Sequence, residues 1–426
     1  MTAAASTLRP DARDQRATLL RDVNVRWLMA GSIISLLGDQ FTLIALPWAV
    51  LQISTDPLVL GSMLAVIGIP RALFILIGGA FVDRHSPQRV LMLTKYINTV
   101  LLALLAAAVL TDRLSLALLY PLALGIGLAA AFSIPAGSSM LPQVVAPHQL
   151  PAANGLLMGL RQLSMFVGPL LAAVMLALGG GQRGLALAFG LDALSFIASA
   201  WTLARVTTRP MPQPPRQAVL AAVAEGLRSF WADRELRAFL LYGAAVSLLI
   251  AGPVQIALPV LASNTPALGA AAFGTMVGAH GAGTLLGLLV ASLRPHWRLG
   301  TLGLTILGID AVVGLLFMPM GQITATWQGV LLLLLIGTLG GFLQVLVFSW
   351  IQRRVAPAMM GRAMSLFMFI FVGLAPLSAA ATGGLLRVVP LPAVFAAAGG
   401  LLVLIVGCAL LGSRLRQIND ARPAGA

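Results

Sequence analysis

Of 426 residues, 59% are apolar and 9% are charged, where an average soluble domain has about a quarter charged; a soluble globular fold is excluded and the chain belongs in a lipid bilayer. The net charge of +14 does not imply a nucleic-acid partner, because the arginines occupy the gaps between apolar runs rather than one continuous face. A single cysteine, Cys408, lies within the last apolar run, so neither a disulfide framework nor a cysteine metal site can form, and no metal or cofactor is expected.

The first 26 residues mix five arginines with Asp11, Asp14 and Asp22. Without a short apolar core and cleavage site they read as a polar leader, not a signal peptide. A helix needs about 20 apolar residues to cross about 30 Å of hydrocarbon, and twelve such runs follow. They lie near 27–52, 58–81, 90–110, 115–141, 153–178, 184–203, 237–261, 270–293, 299–318, 327–350, 363–386 and 391–411. The one long polar gap, 204–236, opens with the proline-rich Arg209-Pro-Met-Pro-Gln-Pro-Pro-Arg216 and continues into an expected surface helix from Gln217 to Arg234. Proline stiffens an extended segment and cannot donate to a helix, so the tract reads as a tether.

An all-α integral membrane protein of twelve transmembrane helices in two six-helix, pseudo-symmetric halves is therefore expected. Its divisions are a leader (1–26), a first bundle (27–203), a linker (204–236), a second bundle (237–411) and a tail (412–426). Collinear repeats support the two halves. Ile44-Ala45-Leu46-Pro47 returns as Ile256-Ala257-Leu258-Pro259 at an offset of 212, Val145-Ala146-Pro147 as Val355-Ala356-Pro357 at 210, and Phe166-Val167-Gly168 as Phe371-Val372-Gly373 at 205. A steady offset marks a duplicated chain whose halves run in the same direction. Arginine accumulates on the cytoplasmic side of a membrane. With the N-terminus placed there, that side receives 21 arginines and the other only Arg113, Arg183 and Arg387, so both termini are expected in the cytoplasm.

Ionisable groups at mid-membrane are costly and mark pathways or coupling sites. Asp39 in the first span and Arg71 in the second fall at similar depth. Their pairing has two readings: a proton-coupling pair that opens as Asp39 takes up a proton, or a fixed clamp between two spans. Asp192 in the sixth span, Asp310 in the ninth and His280 in the eighth are secondary candidates, each with a plain packing alternative. Arg161 in the fifth span is either a contact for an anionic substrate or a side chain reaching back to the interface. Small residues at Gly274-x-x-x-Gly278 and Gly283-x-x-x-Gly287 are expected where helices touch. Pro47, Pro135, Pro253, Pro259 and Pro376 are expected to bend their spans.

Gly79-Ala-Phe-Val-Asp83-Arg84-His-Ser-Pro-Gln-Arg89 resembles the signature between the second and third helices of the major facilitator superfamily, with Ser86 in place of the usual second glycine. The resemblance implies that Gly79, Asp83, Arg84 and Arg89 form a cytoplasmic gate. Gly38-Asp39, Ile134-Pro135-Ala136, Leu191-Asp192-Ala193-Leu194-Ser195-Phe196 and Gly361-Arg362 are similar to the macrolide-efflux and enterobactin-exporter branch of its drug/proton antiporters. Gly168-Pro169 resembles the fifth-helix antiporter motif, although Ala172 and Ala173 replace its following glycines. The fold implied has spans one, four, seven and ten around a midplane cavity, with Asp39, Gln40, Leu43, Pro47, Ser138, Met140, Gln255, Gln344 and Phe348 as wall candidates.

The function expected from this resemblance is proton-coupled export of amphipathic small molecules of drug, macrolide or siderophore type, by alternating access. The alternative is an importer or a lysolipid or lipid transporter of the same fold. The partners expected are a small-molecule substrate, protons and the lipid bilayer, with no nucleic acid, and the working unit is expected to be one chain in a bacterial inner membrane. No catalytic constellation is present, so enzymatic activity is not expected.

Overall fold

The computed structural model describes residues 19–209, 228, 231, 233–294, 296–355, 360–412 and 414–418. Among them, twelve helices are long and apolar enough to cross a membrane. The first six are α1 (Val23–Ile53), α2 (Pro57–Arg84), α3 (Pro87–Leu110), α4 (Leu116–Val144), α5 (Leu150–Gly179) and α6 (Gly181–Leu203). The second six are α7 (Arg234–Asn264), α8 (Gly269–Leu293), α9 (Leu302–Phe317), α10 (Thr326–Arg354), α11 (Leu366–Leu385) and α12 (Leu391–Gly412). The expected surface helix of the linker falls largely outside the described residues, as do residues 1–18 and 419–426.

Polar side chains at the span ends satisfy the backbone donors that the first helical turn leaves free. Asp22 Oδ1 accepts from the Asn24 amide at 2.8 Å, and Asp233 Oδ1 accepts from the Glu235 and Leu236 amides at 2.9 and 3.2 Å. These two aspartates open the first helix of each half and stand 211 positions apart, almost the offset of the Ile-Ala-Leu-Pro repeat. Prolines enter the first turn of α2 and α3, where a missing amide hydrogen costs nothing.

Each half closes on itself by the same pairings: α2 lies on α4 as α8 lies on α10, and α3 lies on α6 as α9 lies on α12. Between the halves there are two principal seams, α2 against α11 and α5 against α8. Both use small residues, which let backbones approach where lipid offers no hydrophobic drive. Gly68 lies against Pro376, and Gly61 and Gly383 meet each other's helices. In the other seam Gly274 faces Pro169 and Ala173, and Gly281 faces Met165.

The two glycine pairs expected on α8 thus serve different partners. Gly274 and Gly278 face α5 across the seam, while Gly283 and Gly287 face Leu334 and Thr338 of α10 within the same half. Nine residues at 100° each turn the helix through half a revolution beyond two full turns, so one helix carries two small-residue faces. In the second half, π-helical turns occupy Pro253–Ala257 in α7 and Phe369–Gly373 in α11. Such turns are frequent at functional sites.

Both seams are closed at the end carrying the α1–α2 and α11–α12 loops. Toward the other end, Gly68 still meets Pro376 and Gly281 still meets Met165, and α2 continues into contact with the π-helical turn at Phe369–Gly373. Further along, Met158 of α5, two turns beyond Met165, and Phe369 of α11, at the start of its π-helical turn, are each 55% exposed. These exposed side chains lie toward the end where α1 begins and α12 finishes, which we read as the open end of the seams. There the tail is tied down: the Gly303 amide donates to the Ile418 carbonyl at 3.1 Å, and Ile418 is fully buried.

A charged cavity between two bundles

Gly38 brings α1 into direct contact with α6, since a side chain there would occupy the space of Ser195 and Asp192. One turn on, the Thr42 hydroxyl donates to Asp192 Oδ2, and Ser195 donates to Oδ1 of the same carboxyl at 3.2 Å. Asp192 is 1% exposed, so it is a buried acceptor joining α1 to α6. Asp39 is turned about 100° from Gly38 and is exposed in the opening.

The cations whose fields reach Asp39 are Lys95 and Arg161. Lys95, on α3, is the sole lysine among 426 residues and is buried. Its Nζ donates to Ser199 Oγ at 2.6 Å and reaches Ser35 Oγ at 3.5 Å. It also stands 5.6 Å over the Phe196 ring, and Ser199 in turn donates to the Gly31 carbonyl at 2.6 Å. Two helices, α1 and α6, therefore hold this ammonium by hydroxyls and an aromatic face, with no carboxylate in ion-pair contact among the described residues.

The expected Asp39–Arg71 pair is not formed in this structure. Equal depth does not bring the two together, because α1 packs on α5 and α6 whereas α2 packs on α4 and α11. Arg71 is half-buried and makes no hydrogen bond or ion pair among the described residues. In the second half, Asp310 is buried and accepts from the Tyr242 hydroxyl of α7 at 2.6 Å. His280 is half-buried on α8, its carbonyl lying against Gly337.

Of the wall candidates, Leu43, Ser138 and Gln344 are exposed, and Gln40, Gln255 and Phe348 are half-buried. Gln40 lies over Gly168 of α5, and the neighbouring Pro169 carbonyl faces Gly274, so Gly168-Pro169 sits where α1, α5 and α8 converge. Pro47 and Met140 are buried and are not wall residues. Pro47 falls in the stretch Ile44–Val50 of α1, whose core is fully enclosed near the closed end. Met140 belongs to a separate apolar core with Leu28, Leu141 and Ala153. At the motif that closes α2, Gly79 and Asp83 are helical, and their side-chain surroundings lie outside what the structure describes. Arg84 and Arg89 are exposed, and nearby Gln88 Nε2 donates to the Leu203 and Val206 carbonyls at 2.9 and 2.8 Å, fixing α3 to the end of α6.

At the closed end an ion pair spans the two halves. Arg387 Nε donates to Asp56 Oδ1 at 3.0 Å, and a second guanidinium nitrogen meets Oδ2. Asp56 also caps α2 through the Leu58 amide at 3.0 Å. The Arg387 hydrogen bonds hold the Asp56 carboxyl below the usual carboxylate range. A second ion pair, Arg354 with Asp233 at 2.9 Å and Glu235 at 2.8 Å, joins α10 to the start of α7. Sequence reading missed Lys95 and both ion pairs; for Lys95 the available signal was its singularity.

Two helical bundles joined at small-residue seams, with charged side chains between them, are the architecture of a membrane transporter rather than an enzyme. The major facilitator superfamily profile matches residues 28–380, and the chain belongs to that superfamily. It is 28% identical over 340 residues to the enterobactin exporter EntS of Shigella boydii serotype 18, with 79% of each chain covered. It is 27% identical over 371 residues, 86% of each, to EntS of Shigella boydii serotype 4. Among solved structures, a bacterial homologue of the iron transporter ferroportin in an inward-facing state superimposes with a TM-score of 0.69, at 18% identity, covering 90% of this chain and 97% of that one. The nucleoside transporter NupG does so at 0.67 and 14% identity, covering 92% and 98%. These structures share the fold.

Proposed function

We propose that the protein is a proton-coupled exporter of amphipathic small molecules of siderophore type, working by alternating access in a bacterial inner membrane with both termini in the cytoplasm. The observation that carries this reading is Asp39, exposed in an opening that is shut at the far end of both seams. With the termini inside, this arrangement favours reading the structure as an inward-facing state, the one that receives a cytoplasmic substrate. The similarity to enterobactin exporters favours export and a siderophore-like cargo.

A proton reaching Asp39 removes the charge on which the fields of Lys95 and Arg161 act, and so changes the balance between the two states. A ligand shifts such an equilibrium only by its differential affinity for them. The residues after α2, Asp83, Arg84 and Arg89, would supply the gate that closes the cytoplasmic end in the opposite state. The test is proton movement in energised inverted vesicles, followed with a pH-sensitive dye while siderophores, macrolides and lipophilic cations are added. Wild type is expected to release protons with a transported compound, and Asp39→Asn to lose that release while remaining folded; equal responses in both would overturn the reading. A second reading, movement of a lysolipid-like amphiphile, is favoured by the apolar seam mouths at Met158 and Phe369. The sign and lipid dependence of flux separate the two.

A further inference from the structure

Arg71 and Arg161 occupy equivalent places in the two seams. Arg71 lies three residues beyond Gly68, which meets Pro376 of α11. Three residues turn a helix by 300°, which returns Arg71 to within about 60° of the seam-facing side. Arg161 lies one turn beyond Met165, which meets Gly281 of α8, again on the seam-facing side. Each guanidinium therefore stands beside its seam, and the field of Arg161 reaches Asp39. Neither arginine has a hydrogen bond or ion pair among the described residues.

The other mid-depth charges do not balance them. Asp192 and Asp310 are 1% and 7% exposed and are engaged by hydroxyls behind the wall. Lys95 is likewise enclosed, at 7%. Facing the opening are Asp39 on one side of the ledger and Arg71 with Arg161 on the other, a surplus of positive charge. An unpartnered guanidinium inside a membrane points to a functional partner. Its planar array of donors matches a carboxylate, phosphate or similar oxyanion. The apolar side chains of Leu43, Met158 and Phe369, all exposed, offer contact for a hydrophobic body.

From this geometry we infer that the cavity receives amphipathic organic anions, drawn by the two guanidiniums Arg71 and Arg161, one beside each seam, with their apolar part against the seam mouths. The inference rests on the transport reading above and narrows its cargo. It also supplies the link to Asp39, since an arriving oxyanion competes with that carboxylate for Arg161.

The experiment uses the full chain in nanodiscs of zwitterionic lipid and three probes with one apolar body: pyrenebutyrate, its methyl ester, and a pyrenylbutyl trimethylammonium. Binding is read by fluorescence anisotropy, with lysophosphatidylglycerol as the acidic-headgroup competitor and lysophosphatidylcholine as its zwitterionic control. Pyrenebutyrate is expected to bind at least about tenfold more tightly than the ester or the cation, and Arg71→Gln or Arg161→Gln to remove about tenfold of that affinity. Arg→Lys variants should recover part of it, and all variants should elute as the same monodisperse species. Displacement by lysophosphatidylglycerol but not lysophosphatidylcholine supports the anion site and places its source in a lipid headgroup; displacement by neither, with tight pyrenebutyrate binding, supports it with a free acid as cargo. Ester or cation binding as tight as the acid, no acid binding, or equal displacement by both lysolipids overturns it. Intact anion binding without energised flux would overturn the export reading instead.

Discussion

The two halves share a scaffold and differ in charge. In each, the third helix sends a buried ionisable group toward the first: Lys95 of α3 to Ser35 of α1, and Asp310 of α9 to Tyr242 of α7. The first half adds Asp39, Arg71, Arg161 and Asp192 at mid-depth, whereas the second adds only His280. The second half instead carries the π-helical turns and, between α8 and α10, backbones in contact through four glycines: Gly283, Gly287, Gly337 and Gly341. Duplication kept the pairings of helices and the capping aspartates, while ionic work moved to one half and the π-helical turns to the other.

That division is tested most severely by removing each buried ionisable group. Lys95→Met keeps the length of the side chain and is expected to lower proton-driven flux by about tenfold or more while the protein still folds. Asp310→Asn leaves Tyr242 a carbonyl acceptor, so it is expected to cost about 1 kcal/mol of stability and to leave flux within about twofold. Flux and thermal unfolding of the two variants measure both. A large flux loss in Asp310→Asn with none in Lys95→Met would reverse the assignment of roles.

The capping aspartates sharpen the comparison at smaller scale. Asp22 only caps α1, whereas Asp233 caps α7 and also holds Arg354 of α10. Asp22→Ala is expected to cost about 1 kcal/mol, the usual value of a lost helix cap, and Asp233→Ala measurably more in the same melting experiment. Equal losses would mean that the Arg354 pair contributes nothing.

The smallest effect is expected at the latch between the halves. Asp56 and Arg387 are solvent-facing, and exposed pairs contribute little, so Arg387→Gln should raise the population open at that end by no more than about threefold. Because the folded-state value of Asp56 is depressed, the pair contributes above the ordinary carboxylate range and is lost as pH falls below about 4. Distances between spin labels in the α1–α2 and α11–α12 loops, in a Cys408→Ser background, would register both trends. No change with pH or salt would remove the latch.

The number of spans, the duplication and the unusual standing of Asp39 were all legible in the sequence, because each follows from contrast along one dimension: apolar runs, repeated words, a carboxylate among hydrocarbons. Azimuth was not. Depth placed Asp39 level with Arg71, but the wall each faces depends on which helices flank it, and the same missing angle put Pro47 and Met140 on a cavity wall when they are buried. Lys95 lies only six residues beyond Arg89 and reads as one more interfacial cation until the hydroxyls of α1 and α6 are seen around it. Asp56 and Arg387 are 331 residues apart, and nothing local to either announces the other.

The enclosure of Lys95 has a practical consequence. With one lysine in 426 residues, the folded spans present a single side-chain amine, and it is shielded by Ser35, Ser199 and Phe196. Amine-directed reagents should therefore acylate that position only when α3 parts from α1 and α6. The extent of its acylation over time would serve as a site-specific clock for the opening of the first bundle, with no label engineered into the chain.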